Sequence, residues 1–489
     1  MKKTSETDAY DRSAWIEDEF SGLDAVAQAE WARAGRVSST ELVDAAIKRI
    51  ERVGPLVNAL ASVDFERARE RACRVASTGL LAGVPTLLKD LLAYPGLPFE
   101  CGSRAFVGQR AQAGSDYTDA LDEAGLIVLG KSTSSELGLL GTTETLACGA
   151  TRNPWDLTRS AGGSSGGAVA AVASGLVAVA HASDGGGSIR GPASLCGLFG
   201  FKPGRGRHRS TGPMADSPFG RLVSDHCVSR TVRDSAAWLA VTELRDGEAR
   251  PVGYVAEPLR RRLRIGWYRA NGFGHEPEPD VAAALERTVQ LCASLGHELI
   301  ECGGPPYQAA ATSAAFFDLA GTMTAGLFGQ LQQAFGAGFD QQRFEPFTRE
   351  LVQRAGADPI AGMGVAMAEL SAAQMAANQG MQAYDVLLCP TVPFTAFPLG
   401  HIGPTKPAAE VIAFTERLAG YTAIASIAGW CAMSVPLHES FAGLPIGMHF
   451  AAKPGHEAIL LGLAYQLEEA APWRQRTPGR LKGTDGTAA

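Results

Sequence analysis

The chain has 489 residues, 46% of them hydrophobic and 19% charged, a globular composition with room for one large α/β core or two to three smaller domains. A net charge of −7 gives no support for a nucleic-acid surface. Nine cysteines, an odd number without CxxC spacing, argue against a disulfide framework or a zinc site and suit a reducing compartment, so a cytoplasmic protein is expected.

Met1 to Arg12 is polar and has no apolar segment, so no signal peptide is expected. Ser38-Ser39-Thr40-Glu41 forms a capping box. Leu42, Val43, Ala46, Ile47 and Ile50 then recur at helical spacing, and Gly54-Pro55 ends the run. A second helix is predicted from Phe65 to Ala76, which makes 13–78 a helical segment. From 79 onward short apolar runs alternate with helical patterns: Val84 to Leu88, Leu126 to Leu129, Leu176 to Ala180, Arg264 to Trp267 and Val386 to Cys389. That alternation predicts an α/β protein with a buried sheet, mostly parallel or mixed. The run from Gly166 to Ala182 is too short and too weakly apolar to span a bilayer and reads as a buried helix and strand. Residues 305–383 are rich in Ala, Gln, Met and Phe and read as several helices inserted between strands. Most of that Phe and Met is expected to be packing. Phe316, Phe317 and Met323 are the first candidates for an adaptable apolar substrate pocket. Residues 384–478 complete the core, and the polar tail after Pro478 is expected to fray.

The densest chemistry lies between Arg159 and Arg190. Two serine-in-glycine loops, Gly162 to Gly167 and Gly185 to Ser188, are separated by about one helix and one strand. Glycine lets backbone N–H groups converge on an anion, and a serine at the end of such a loop sits beside the donors a tetrahedral oxyanion needs. A serine nucleophile also needs a base. Lys89 ends an apolar strand, and burial lowers a lysine pKa by up to ~3–5 units, toward a neutral amine. The adjacent Asp90 would work against this by holding the lysine charged. Gly163 to Gly167 also matches G-x-S-x-G, which would make Ser165 the nucleophile of an α/β-hydrolase, with one of several downstream histidines as base. Phosphate binding fails on detail, since neither G-x-x-x-x-G-K-[ST] nor G-x-G-x-x-G occurs.

The constellation resembles the amidase signature family. The resemblance rests on GGSSGG at Gly162 to Gly167, on D-x-GGS-[IV]-R at Asp184 to Arg190, and on the 24-residue spacing from Ser164 to Ser188. Gly130-Lys131-Ser132, Thr151 to Trp155, Cys196-Gly197, Lys202-Pro203 and Leu444 to Gly447 extend it over most of the chain. Thr151 to Trp155 and Ala471-Pro472-Trp473 bring it closest to bacterial amidases of the 6-aminohexanoate cyclic dimer hydrolase and urethane-cleaving type. Thr133, Gly191 and Cys431 depart from the family pattern without touching the core motif.

The resemblance implies a Ser–cisSer–Lys triad of Ser188 as nucleophile, Ser164 as bridge and Lys89 as base. It implies an oxyanion hole from the backbone N–H groups of Gly185, Gly186, Gly187 and Ser188, with Asp184 and Arg190 bracing the loop. The expected fold is the amidase signature fold, an α/β/α arrangement with a mixed central sheet between helices. It would form one domain over 13–478, with a catalytic core at 79–304 and a pocket-forming insertion at 305–383. The expected function is hydrolysis of a small-molecule carboxylic amide, with esters and carbamates compatible with the same chemistry. No metal, organic cofactor, nucleic acid or membrane is implied, and the chain would act as a monomer or homodimer. The alternative is the A subunit of a tRNA-dependent amidotransferase complex, which shares the triad.

Overall fold

The computed structural model describes residues 14–479 except 77, 248, 249, 357 and 358. The expectations for Met1 to Arg12 and for most of the tail after Pro478 lie outside those residues. Helices α1 (Ala25–Arg33) and α2 (Ser39–Val57) open the described chain. The capping box forms as expected: Ser38 Oγ accepts the Glu41 N–H at 3.2 Å, and Glu41 Oε2 accepts the Ser38 N–H at 2.7 Å. α2 runs through Gly54-Pro55 rather than stopping there. Pro55 lies in the last turn, where its ring removes only one ladder bond, and left-handed Asn58 (φ 51°) closes the helix by donating its N–H to Gly54 O at 2.8 Å.

Strand β1 (Leu60–Val63), helix α3 (Phe65–Ala72), strand β2 (Pro85–Lys89), helix α4 (Asp116–Glu123) and strand β3 (Ile127–Ser132) follow. α3 ends at Ala72 rather than Ala76, and the Val75 N–H folds back onto Arg71 O at 2.9 Å. The three strands form a sheet in the order β1-β3-β2, with β2 parallel and β1 antiparallel to β3. Two small hairpins, β4 (Glu144–Thr145) with β5 (Gly149–Ala150) and β6 (Arg152–Asn153) with β7 (Asp156–Ser160), lead into helix α5 (Gly166–Ala173).

The remaining strands are β8 (Val179–Asp184), β9 (Phe199–Lys202), β10 (Ser224–Ser229), β11 (Arg264–Trp267), β12 (Glu298–Glu301), β13 (Val386–Pro390), β14 (Cys431–Glu439) and β15 (Pro445–Ala452). They form one eight-stranded mixed sheet in the order β12-β11-β13-β15-β14-β9-β10-β8. Only β11 runs parallel to its neighbours β12 and β13, so the mostly parallel alternative is not realised. β14 and β15 are joined by five residues, too few for the crossover that a parallel pair needs. β8 starts at Val179, later than expected, because left-handed Gly175 (φ 73°) first has to turn the chain out of α5.

Helices α6 (Arg190–Cys196), α7 (Val232–Thr242), α8 (Pro279–Ser294), α12 (Ala408–Ala419), α13 (Ala423–Ile427) and α14 (Glu457–Ala470) pack around this sheet. Successive strand residues point to opposite faces, and here both faces are buried. Leu388, Met433 and Phe450 pack with α7, α8 and α14, whereas their neighbours Leu387, Ala432 and Ala451 pack with α13 and the insertion. The insertion is α9 (Ala309–Phe335), α10 (Pro346–Arg354) and α11 (Pro359–Gly380), placed between β12 and β13. No helix among the described residues is long and apolar enough to cross a membrane.

Candidate active site

The two sheets meet where β2 lies against β8. Thr86 Oγ1 donates to Val179 O at 3.0 Å, and the Lys89 N–H donates to His181 Nδ1 at 3.2 Å. Every residue of β2 is buried, including Lys89 at its end. Lys89 Nζ donates to Ser164 Oγ at 2.7 Å and to Ser183 Oγ at 3.0 Å. Burial pulls this lysine down to about 7, while Asp225 and Asp184 pull it back up. Asp90 does not hold Lys89 charged, contrary to the sequence reading. It projects from the opposite face of β2, 3.9 Å from Lys131, and accepts the Glu100 and Gly102 N–H groups at 3.3 Å.

Ser164 sits in the first glycine loop, and the Gly163–Ser164 peptide bond is cis. The loop packs so tightly that a Cβ on Gly163 would lie 2.6 Å from Thr142 N, and one on Gly167 would lie 2.3 Å from Thr133 N. Ser164 Oγ faces the lysine, but Ser165 turns the other way. Ser165 is fully buried and donates its hydroxyl to Ser183 O at 3.1 Å, with no histidine bonded to it among the described residues. This removes the base that an α/β-hydrolase reading requires.

The second loop is organised by Asp184, whose carboxylate accepts the N–H groups of Gly187 at 2.7 Å, Ile189 at 3.1 Å and Arg190 at 3.3 Å. The Arg190 guanidinium grips it bidentately at 2.9 and 2.8 Å, so the expected brace is present. Burial opposes ionisation of Asp184, but Arg190 outweighs it and holds the carboxyl far below the usual range. Arg190 also donates to Thr422 O at 2.8 Å, and Thr422 Oγ1 donates to Gly186 O at 2.7 Å. The N–H groups of Gly185, Gly186 and Ser188 have no partner among the described residues, whereas that of Gly187 is taken by Asp184. Three of the four N–H groups expected to face an oxyanion are thus without a partner among the described residues. Ser188 Oγ likewise has no hydrogen bond among the described residues, and Ser188 is half-buried at the rim of a cavity of about 1470 Å³.

Phe316, Phe317 and Met323 all line that cavity. Phe316 comes nearest the second loop, with its Cζ 3.7 Å from where a Cβ on Gly186 would stand. Phe317 is also packing, buried against Leu140, Phe347 and Leu351. Phe335, Phe339 and Met363 also line the cavity, and Met375 lies on the surface at 68% exposure. The motifs did not single out Ser183 or Thr422. Ser183 had a readable signal, since it alternates with Ala182 along a strand that points His181 and Ser183 at Lys89. Thr422 had none, because it lies 236 residues from Gly186 in sequence.

Residues 41–461 match the model of the Amidase family. A protein of Mycobacterium tuberculosis (strain ATCC 25618 / H37Rv), named as an amidase, AmiC, is 36% identical over 94% of this chain and 97% of its own length. The 6-aminohexanoate-cyclic-dimer hydrolase of Pseudomonas sp. (strain NK87) is 34% identical over 94% of this chain and 97% of its own. A solved structure of 6-aminohexanoate cyclic dimer hydrolase complexed with substrate superposes with a TM-score of 0.87 at 33% identity, covering 94% of this chain and 99% of that one.

Proposed function

The chain belongs to the amidase signature family and is an amide hydrolase, and from this premise we propose that it works through an acyl-enzyme on Ser188, with Ser164 as proton relay and Lys89 as terminal base. The observation that carries the reading is the 2.7 Å bond between Lys89 Nζ and Ser164 Oγ, made by a buried lysine that loses its proton near pH 7. An amine that is neutral at working pH can take a proton, and a hydroxyl can receive one while passing on its own.

In this mechanism Ser188 Oγ attacks the substrate carbonyl while its proton passes through Ser164 to Lys89. The oxyanion forms against the N–H groups of Gly185, Gly186 and Ser188, each worth about 2.7–4 kcal/mol of barrier in comparable sites. Collapse breaks the C–N bond, and the proton returns through Ser164 to the leaving amine. Water then releases the acid by the same route. Esters and carbamates present the same planar acyl group and fall within the same mechanism.

The apolar lining by Phe316, Phe317 and Met323 favours extended or aromatic amides, which gain about 25 cal/mol for each Å² of apolar surface buried. The cavity, at about 1470 Å³, exceeds the ~300–1,000 Å³ usual for a drug-sized ligand. The names of the relatives make a 6-aminohexanoate cyclic dimer the first amide to assay. The test is purified chain against a panel of amides, esters and carbamates, with an active-site phosphonate and a pH profile. Activity should rise through about pH 7 and level off on the alkaline side, with the phosphonate on Ser188. An adduct on Ser165, or a histidine variant as inactive as Lys89→Met, would overturn the assignment. Turnover of simple amides by the isolated chain would set aside the amidotransferase alternative.

A further inference from the structure

Behind Lys89 lies a set of polar side chains that the relay does not use. β10 pairs antiparallel with β8 in a register that places Asp225 opposite Ser183 and Cys227 opposite His181. Opposed residues share a face of the sheet, so Asp225, Ser183 and His181 all project toward β2. Ser183 Oγ accepts from Lys89 Nζ at 3.0 Å. His181 Nδ1 accepts the Lys89 backbone N–H at 3.2 Å, which leaves the ring proton on Nε2, where it is donated to Asp225 Oδ1 at 3.0 Å. His181 is wholly buried, edge-on to Tyr117 with ring centroids 5.6 Å apart, and burial keeps it neutral by pulling it below its ordinary value. The Asp225 backbone N–H donates to His208 Nε2 at 3.0 Å. Burial works to raise the Asp225 carboxyl, but the His181 hydrogen bond leads the opposing influences and keeps it below its usual value.

The charged groups around Lys89 divide cleanly. Asp184 on β8 is locked to Arg190 at 2.8 Å, and Lys131 on β3 lies with Asp90, just past the end of β2, at 3.9 Å. Among the described residues the Asp225 carboxylate forms no ion pair with a lysine or arginine: His181 donates to it, His208 accepts its backbone N–H, and it borders the cavity. Its field at the lysine is therefore the one not cancelled by a paired cation.

We propose that Asp225, clamped by His181, is a positioning residue for Lys89: it holds the transferred proton on the amine between its arrival from Ser188 and its return to the leaving group, and so sets the pH above which the enzyme works. This rests on the acyl-enzyme reading above. The proton count closes within acylation, since the one that leaves Ser188 as the C–O bond forms is the one delivered to the amine nitrogen as the C–N bond breaks. A carboxylate in direct contact would trap the ammonium form. Asp225 acts from the neighbouring strand, across Ser183, and so biases the lysine without fixing it.

The test compares pH profiles of kcat/KM for the wild type, Asp225→Asn and Asp225→Glu. Asparagine keeps an oxygen acceptor for His181 and removes the charge. The acid limb should move down by about one pH unit, so that activity on the limb, relative to its own plateau, rises about tenfold, while the plateau itself falls. Asp225→Glu should return the limb toward the wild-type position. A lower plateau with an unmoved limb in Asp225→Asn would overturn the proposal and leave Asp225 a purely structural residue. Should Asp225→Asn not fold, His181→Gln, which slackens the clamp and spares the carboxylate, is read in its place, and an unmoved limb overturns the proposal equally. The acyl-enzyme reading fails by different signs: no phosphonate on Ser188, or a Lys89→Met enzyme that still turns over.

Discussion

The floor of the cavity, the two serine-glycine loops at 162–164 and 183–188, is held by buried polar bonds. Asp184 accepts three backbone N–H groups and a bidentate guanidinium, Lys89 binds two serines, and glycines stand where no Cβ fits. The roof, α9 to α11, packs through apolar contacts with a few polar bonds at its margins, and leaves large side chains in solvent, with Phe335 at 58%, Val365 at 73% and Met375 at 68% exposure. A satisfied buried polar network has one geometry, whereas apolar packing tolerates exchange of side chains of similar volume. The floor is thus suited to hold reacting atoms in place, and the roof to vary what is admitted.

Substitutions can break this contrast. The largest effect should come from the reacting groups themselves. Ser188→Ala and Lys89→Met should each lower kcat by more than about 10³-fold with the fold intact, whereas Ser165→Ala, a buried hydroxyl on Ser183 O, should keep measurable activity. Steady-state rates on folded protein check this. Next comes the floor's packing. Gly167→Ala drives a methyl against Thr133 N, 2.3 Å away, and should cost about 3 kcal/mol, visible as a lower Tm and slower turnover of every substrate alike.

The roof should respond differently. Phe316→Ala, Phe317→Ala and Met323→Ala should lower kcat/KM for aromatic or long-chain amides about tenfold relative to acetamide, as expected for some 50–60 Å² of lost apolar burial, and leave the phosphonate labelling rate unchanged. A uniform loss across substrates would make these residues core rather than specificity surface, and Phe317, already packed against Phe347, is the one most exposed to that outcome.

The smallest effect sharpens the comparison at the seam. Glu136, beside the cavity wall, accepts the Ser103 hydroxyl at 2.5 Å and the Glu345 N–H, at the start of α10, at 2.8 Å. Burial, with Glu136 nearby, pushes Glu345 up to about 8. A carboxyl raised on folding stabilises fully below its unfolded value of 4.5, and that stability drains away as pH climbs toward 8. Glu345→Gln mimics the protonated form. Its Tm should match the wild type near pH 4, exceed it increasingly above that, and level off at a gain of order 2 °C beyond pH 8. Thermal melts across pH decide this.

Much of the floor was legible in one dimension because its parts are local. The glycine loops, the Asp184–Arg190 brace and the buried strand ending at Lys89 each lie within a few residues, where steric rules and spacing act directly. The helical character of 305–383 was legible for the same reason. What the sequence left open depended on partners far along the chain. Strand alternation sent Asp90 to Lys131 and away from Lys89, and the carboxylate of Asp184 took one of four expected oxyanion donors. Thr422 reached the loop from 236 residues away. Local pattern determined which groups were present and how the backbone could bend around them. Only the tertiary packing of β2, β8 and β10 decided which charges face Lys89, because burial and electrostatics act through space and not along the chain.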